Sequence, residues 1–267
     1  MCFINGRTST MLKDQVVFIT GASSGIGALC AQMLIEEGAI PILAARSREK
    51  LDQIGASLQG RHELLTLDVT DSEQVQTAVD AMLHKYGRID ILLNNAGYGK
   101  FAAMTEMSVQ EFDDMMDVNY MGIVRCTKAV LPHMLERGKG QIVNVASMAG
   151  KIGTAKSASY TATKHAVLGF SNALRQELRK TGITVTTINP GPIDTPFFDR
   201  ADPSGNYVNN VRWMMLTPQN VAGHMIRAMK KRKEEVNLPR LASAGIWLYQ
   251  LFPRLADRLS HGVMNQK

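Results

Sequence analysis

The chain has 267 residues, of which 45% are hydrophobic, 20% charged and 6% aromatic, a balance that excludes a disordered, collagen-like or disulfide-stapled protein. Its cysteines, Cys2, Cys30 and Cys126, form no Cys-x-x-Cys pair and no Cys/His cluster, so no disulfide framework and no metal site is expected, and a reducing, cytoplasmic setting is. The net charge of +6 is local: residues 1–226 set 21 bases against 21 acids, while residues 227–267 carry the other nine bases and only Glu234, Glu235 and Asp257, which argues against a nucleic-acid-binding face on the body.

The first ten residues have neither a basic start nor a long apolar run, so residues 1–12 are expected to form a disordered extension and not a secretory signal. From there, short Val- and Ile-rich runs alternate with segments of helical period. Strands are predicted at Val16–Thr20, Ile40–Ala45, Glu63–Leu67, Ile89–Asn94, Gln141–Ala146, Thr184–Asn189 and Glu235–Leu238. Helices are predicted at Gly25–Glu37, Arg48–Leu58, Ser72–Tyr86, Ser108–Arg137, Ala158–Lys180 and Pro218–Lys231. Such alternation indicates right-handed βαβ units, and uninterrupted apolar strands indicate a parallel sheet buried on both faces. No linker, repeat or composition shift divides the chain. Residues 13–238 are therefore expected to form one doubly wound α/β domain with a parallel sheet of about seven strands. Within it, residues 191–216 carry Pro192, Pro196, Pro203 and Gly205 and are expected to be an irregular, functional loop. Residues 239–267 form an apolar and basic extension.

The segment Thr20-Gly21-Ala22-Ser23-Ser24-Gly25-Ile26-Gly27 follows the first predicted strand and opens the first helix. A dinucleotide pyrophosphate binds the free N–H groups at such a helix N-terminus, and glycines let it approach the backbone. The spacing is G-x-x-x-G-x-G, and a tight turn holding no ligand is the alternative. Dinucleotide folds that select NAD place an acid near the end of the second strand. Here that position reads Ala44-Ala45-Arg46-Ser47-Arg48, without an acid. Arg46 suits a 2′-phosphate and an adenine face, so NADP (NADPH) is expected in preference to NAD. Asp68, beside Val69, either receives an adenine amino group or belongs with Thr70, Asp71 and Ser72 to a helix cap.

Tyr160 and Lys164 are four residues apart on a predicted helix and so share one face. A lysine cation beside a phenol favours phenolate and is expected to lower the phenol pKa from about 10. Such a phenol serves as the proton donor that carbonyl reduction needs. Ser147 lies just past the strand Gln141–Ala146, at the carboxyl end of the sheet, where its hydroxyl can reach the same substrate oxygen.

With these residues in place, the chain resembles the short-chain dehydrogenase/reductase family from about Lys13 to Leu238. The resemblance rests on the glycine turn, Asn94-Asn95-Ala96-Gly97, Asn119, Ser147, Tyr160, Lys164 and Asn189-Pro190-Gly191 leading to Thr195. It implies a single Rossmann-type domain, assembled as a homodimer or homotetramer, that needs no metal. It implies Tyr160 as general acid/base, Ser147 as the group polarising the substrate oxygen, and Lys164 as the residue holding the nicotinamide ribose. It further implies that Asn119 positions a water relaying protons to Lys164. Asn95, Ala96 and Gly97 then border the adenine ribose, and Pro190, Gly191, Ile193 and Thr195 meet the phosphates or the carboxamide. Lys100 and Lys151 match no role in the family and are expected to be solvated.

The segments that would face the substrate offer Phe101, Met104, Met148, Ile152, Phe197, Phe198, Trp213, Met214 and Met215. That lining suggests a hydrophobic small-molecule substrate: a ketone, an aldehyde, a steroid-like or a fatty-chain compound, or the corresponding secondary alcohol. A 3-oxoacyl-carrier-protein reductase is an alternative, as is a nucleotide-binding regulator or scaffold of the same family. In the tail, the basic run Lys230–Lys233 and the apolar Leu241–Phe252 read as a segment closing the pocket or packing on a subunit, with peripheral membrane contact as the lesser alternative.

Overall fold

Seven short strands occupy the centre of the molecule: β1 (Val16–Thr20), β2 (Ile40–Ala45), β3 (Glu63–Thr66), β4 (Ile91–Asn94), β5 (Gly140–Val145), β6 (Ile183–Pro190) and β7 (Glu235–Leu238). The structure is a computed structural model describing residues 12–239 together with Gly245, Ile246, Tyr249 and Leu251. All seven strands run parallel in one sheet, in the order β3-β2-β1-β4-β5-β6-β7. Every residue of β1, β2, β4 and β5 is buried, which is why those runs are largely apolar in place of alternating, with Gln141 and Asn144 of β5 as buried polar exceptions. β1 pairs β2 from Val16↔Ile40 to Thr20↔Ala44, and pairs β4 on its other side from Val17↔Ile91 to Ile19↔Leu93. The strand order reverses between β1 and β4, and a cleft opens beyond the carboxyl ends of the strands there.

The helices are α1 (Gly25–Glu36), α2 (Arg48–Ser57), α3 (Ser72–Tyr86), α4 (Val109–Met116), α5 (Gly122–Glu136), α6 (Ala158–Glu177), α7 (Phe197–Ala201), α8 (Asn206–Val211) and α9 (Pro218–Lys231). Side chains of β1 divide by period two between the faces of the sheet. Val17 and Ile19 pack with Leu34 of α1, Leu51 of α2 and Met225 of α9. Val16 and Phe18 pack with Val79 of α3, Val130 of α5 and Leu174 of α6 on the other face. Side chains of Ser47, Asp71, Ser108 and Thr217 cap α2, α3, α4 and α9. α1 differs from these four. Ser24 makes no side-chain cap bond and the first turn holds no acid, so the leading amides of α1 stay open toward the cleft.

Three local features depart from the sequence reading. Ser108–Arg137 is not one uniform helix: a π-helical turn over Asp117–Met121 separates α4 from α5. The wider turn carries Asn119, fully buried, against the backbone of Tyr98. The 191–216 stretch holds α7, α8 and a 3-10 turn at Arg212–Met214, so its prolines punctuate helices and do not exclude them. Leu12 is a core residue, 1% exposed, and the expectation of a disordered extension otherwise falls on residues outside those described.

Two bases of the Lys230–Lys233 run serve the fold. Arg232 ends α9 in a left-handed conformation (φ 47°), and its guanidinium donates to Gly140 O at 2.7 Å and Gly182 O at 2.9 Å. Lys230 pairs with Glu37 of α1's C-terminus. Among the described residues, no helix is long and apolar enough to cross a membrane.

Candidate active site

Two turns meet at the switch point, and their side chains fasten each other. The Thr20 hydroxyl accepts from the backbone N–H groups of Asn95 and Ala96, each at 3.0 Å. Asn95 Nδ2 donates in return to Thr20 O and Gly21 O, also at 3.0 Å. A Cβ at Gly27 would lie 2.5 Å from Asn95 Nδ2 and 2.7 Å from Gly21 O, so only glycine admits this approach. The amide of Asn95 is thus committed to shaping the turn.

On the other side of the cleft, α6 is fixed to the sheet by a buried polar chain. Asn94 Nδ2 donates to Asn144 Oδ1 at 2.8 Å, and Asn144 Nδ2 donates to Ser171 Oγ at 2.9 Å. Orphaning one buried partner in such a chain costs about 1–3 kcal/mol, so the chain sets the height of α6 against β4 and β5. That height places Lys164 Nζ 2.9 Å from Val145 O, at the end of β5. One turn earlier, the Tyr160 hydroxyl lies beside the side chain of Ser147 on the cleft wall. Ser147 Oγ also donates to Pro190 O at 3.3 Å and accepts from Ala149 N at 3.1 Å, which holds its rotamer.

Burial pushes the Tyr160 phenol up to about 12, against the opposing contact of Ser147. Burial also pulls the Lys164 ammonium down to about 8. This corrects the expectation that Lys164 lowers the phenol pKa. Lys164 Nζ stands 5.6 Å from the Tyr160 ring centroid, and desolvation of the phenol itself, helped by Tyr207, sets the direction of its shift. At neutral pH Tyr160 therefore keeps its proton and is a donor.

Asn119 sits behind these groups, outside the cleft wall. Its Oδ1 accepts from Tyr98 N at 2.9 Å, and its Nδ2 donates to Tyr98 O at 2.8 Å and Thr163 Oγ1 at 3.1 Å. Its side chain is a clip joining the segment after β4 to α6. Of the catalytic and coenzyme-binding residues expected from the sequence, all but Asn119 and Gly27 line one cleft of about 1180 Å³: Gly21, Ser23, Ser24, Gly25, Ile26, Arg46, Asp68, Val69, Asn95, Ala96, Gly97, Ser147, Tyr160, Lys164, Pro190, Gly191, Ile193 and Thr195. Arg46 is exposed at the end of β2. Its neighbour Arg48 is taken up by Asp52 in a surface ion pair. Asp68 Oδ1 accepts from Thr70 N and Oγ1 at 3.0 and 2.8 Å, and the cap of α3 is Asp71.

Several lining expectations need correction. Met104 is 68% exposed and, like Met215, lies off the cleft wall. Lys100 and Lys151 are ion-paired with Glu111 and Glu235, and not simply solvated. Sequence reasoning missed Tyr98, Arg200 and Tyr207, which also line the cleft. The Arg200 guanidinium stacks 3.6 Å from the Tyr98 ring centroid. Tyr98 directly follows Gly97, a signal that was available. Tyr207 and Arg200 become visible only once the 191–216 stretch is folded.

Comparison with known proteins agrees with this architecture. Residues 15–204 match the short chain dehydrogenase family. An uncharacterized oxidoreductase of Staphylococcus aureus is 37% identical over 225 residues, 84% of this chain and 94% of that protein. A short-chain dehydrogenase from Streptomyces avermitilis superposes with a TM-score of 0.80 at 29% identity, covering 94% of this chain and 98% of the other. A single-substitution variant of actinorhodin polyketide ketoreductase with NADPH superposes with a TM-score of 0.76 at 33% identity, covering 84% of this chain and 95% of the other. The parallel seven-stranded sheet, the cleft at its switch point and these similarities together make the chain a member of the short-chain dehydrogenase/reductase family, an oxidoreductase acting on CH–OH groups with a nicotinamide coenzyme.

Proposed function

We propose that the protein is an NADP(H)-dependent reductase of hydrophobic ketones or aldehydes, acting in the cytoplasm, and that it oxidises the corresponding secondary alcohols in reverse. The observation that carries this reading is the half-buried Tyr160 phenol, proton in place on the cleft wall, beside Ser147 and one helical turn from Lys164. When bound, the nicotinamide supplies the hydride. Tyr160 gives its proton to the substrate oxygen as the carbon is reduced, and Ser147 holds that oxygen and polarises the carbonyl. Lys164 anchors the coenzyme ribose and shares the charge left on the phenolate. Asn119 acts as a positioning residue through Tyr98 and Thr163, on the route by which water reprotonates Lys164.

The chain's own residues fit the coenzyme. The uncapped, acid-free start of α1 suits a pyrophosphate. Gly25 holds a left-handed φ of 56°, and a Cβ there would make ordinary contact with Thr195 Cγ2 at 3.8 Å. Asp68, Val69, Asn95, Ala96 and Gly97 wall the adenosine end, and Pro190, Gly191, Ile193 and Thr195 the nicotinamide end. Arg46 favours NADP: among the described residues its side chain makes no hydrogen bond, and residues 39–46 contain no acid to bond ribose hydroxyls. The subunits assemble as a homodimer or homotetramer. Pro239 and Ile246 line the cleft, which supports a tail that folds over the pocket.

Arg46→Asp is expected to reverse coenzyme choice. One charge-assisted phosphate contact is worth about 1.5–3 kcal/mol, so the unmutated enzyme should prefer NADPH by roughly tenfold or more in kcat/KM. Steady-state kinetics with both coenzymes and a carbonyl panel check this. Equal values for NADPH and NADH in the unmutated enzyme contradict the assignment.

A further inference from the structure

Aromatic residues are scarce in this chain, 6% of the total, and among the described residues Phe18 is the one aromatic in the set of largest fully buried side chains. Four others, Phe101, Phe197, Phe198 and Tyr207, cluster with the reacting phenol. Phe101 stands edge-on to Tyr160, with centroids 6.0 Å apart and planes at 76°, and edge-on to Tyr207 at 5.0 Å and 72°. Phe197 packs on Tyr160 at 5.6 Å and 58°, and stands edge-on to Phe198 at 5.3 Å and 88°. Phe198 and Tyr207 close the ring of contacts at 5.6 Å. All five side chains line the cleft.

The arrangement is held by backbone, not by the rings alone. Phe101 N donates to Ala201 O at 2.9 Å, tying the segment after β4 to α7. Phe197 rests on Gly99, where a Cβ would lie 2.7 Å from Phe197 Cζ. The walls are therefore in place before a substrate arrives.

Given the reading above, on which this inference rests, the substrate oxygen sits at Tyr160 and Ser147. The atoms next to the carbonyl then lie against the two rings that touch Tyr160, namely Phe101 and Phe197. An aliphatic chain gains from such walls only by leaving water. A flat aromatic ring gains in addition from edge-to-face contact, because ring edges carry positive and ring faces negative charge. We propose that the preferred substrates are aryl ketones or aryl aldehydes, with Phe101 and Phe197 as the side chains that select them. In the reaction the carbonyl carbon takes hydride from the reduced coenzyme and the oxygen takes the Tyr160 proton. A benzylic alcohol and oxidised coenzyme result, and the phenolate is reprotonated from solvent.

Acetophenone and cyclohexyl methyl ketone test the proposal, since they match in heavy-atom count and differ in the flat ring. Conjugation slows reduction of the aryl ketone intrinsically, so the informative quantity is how the ratio of their kcat/KM values changes between enzymes. Any loss of folded enzyme cancels in that ratio. In Phe197→Leu and in Phe101→Leu the aryl-to-cyclohexyl ratio should fall roughly two- to tenfold, the worth of one edge-to-face pair. A fall of about twofold or more in either variant supports the proposal. Smaller changes in both, an increase, or reduction of the cyclohexyl ketone alone overturn the substrate class and leave the carbonyl reductase reading standing. Coenzyme binding with no turnover of any carbonyl overturns both.

Discussion

Tyr160→Phe is expected to lower carbonyl turnover by at least about 100-fold, the scale set by a positioned acid/base, while coenzyme affinity stays within about twofold of the unmutated enzyme. The reason lies in what the substitution leaves behind. A phenylalanine keeps the contacts with Phe101 and Phe197, so the wall of the pocket persists. It removes the hydroxyl that lies beside Ser147 and that carries the proton. The anchor of Lys164 to Val145 O is untouched, so the ribose end of the coenzyme site survives. Stopped-flow turnover alongside a nicotinamide fluorescence titration separates the two effects. Unchanged turnover in Tyr160→Phe removes Tyr160 from the chemistry.

Lys164→Met should damage both functions. Losing a charged hydrogen bond to the ribose costs about 1.5–3 kcal/mol, so coenzyme affinity should fall roughly tenfold or more, and turnover should fall further because the phenolate loses its neighbouring cation. The same variant should be favoured in stability, with a distinct pH signature. Below about 8, Lys164 is charged in both the folded and the unfolded chain, and the cost of burying that charge is present in full. Between about 8 and the ordinary lysine value of 10.5, the unfolded chain binds a proton that the folded chain does not. Rising pH then stabilises the unmutated fold relative to its unfolded state. The stability advantage of Lys164→Met, measured by urea unfolding without coenzyme, should therefore be greatest below pH 8 and shrink as pH rises toward 10.5. A constant difference across that window would mean that Lys164 is hydrated in the folded protein.

What could be read from the sequence was local. The strands announced themselves because burial on both faces demands uninterrupted apolar runs, as in Ile40–Ala45. The glycine turn and the Tyr160–Lys164 pair were legible because a turn and a helix fix geometry over a few residues. Tertiary packing hid the rest. The π-helical turn at Asp117–Met121 exists because Asn119 is held against Tyr98, a partner from another element. The phenol's raised pKa reflects desolvation by segments distant in sequence, and not the helical neighbour that sequence spacing had favoured. The aromatic enclosure joins Phe101 to Tyr207, two residues whose relation no periodicity records. The basic run at Lys230–Lys233 looked like a surface feature, yet Arg232 is spent on carbonyls at the foot of the sheet.

Transfer of deuterium tests the central claim most directly. The enzyme would be given NADPH carrying deuterium at both positions of nicotinamide C4, together with acetophenone and cyclohexyl methyl ketone, and the alcohol products read by mass spectrometry. The account predicts one deuterium on the carbinol carbon per coenzyme oxidised, with the reaction nearly abolished in Tyr160→Phe. Coenzyme that binds the cleft without any deuterium reaching a carbonyl carbon, or equal transfer by Tyr160→Phe, would contradict it.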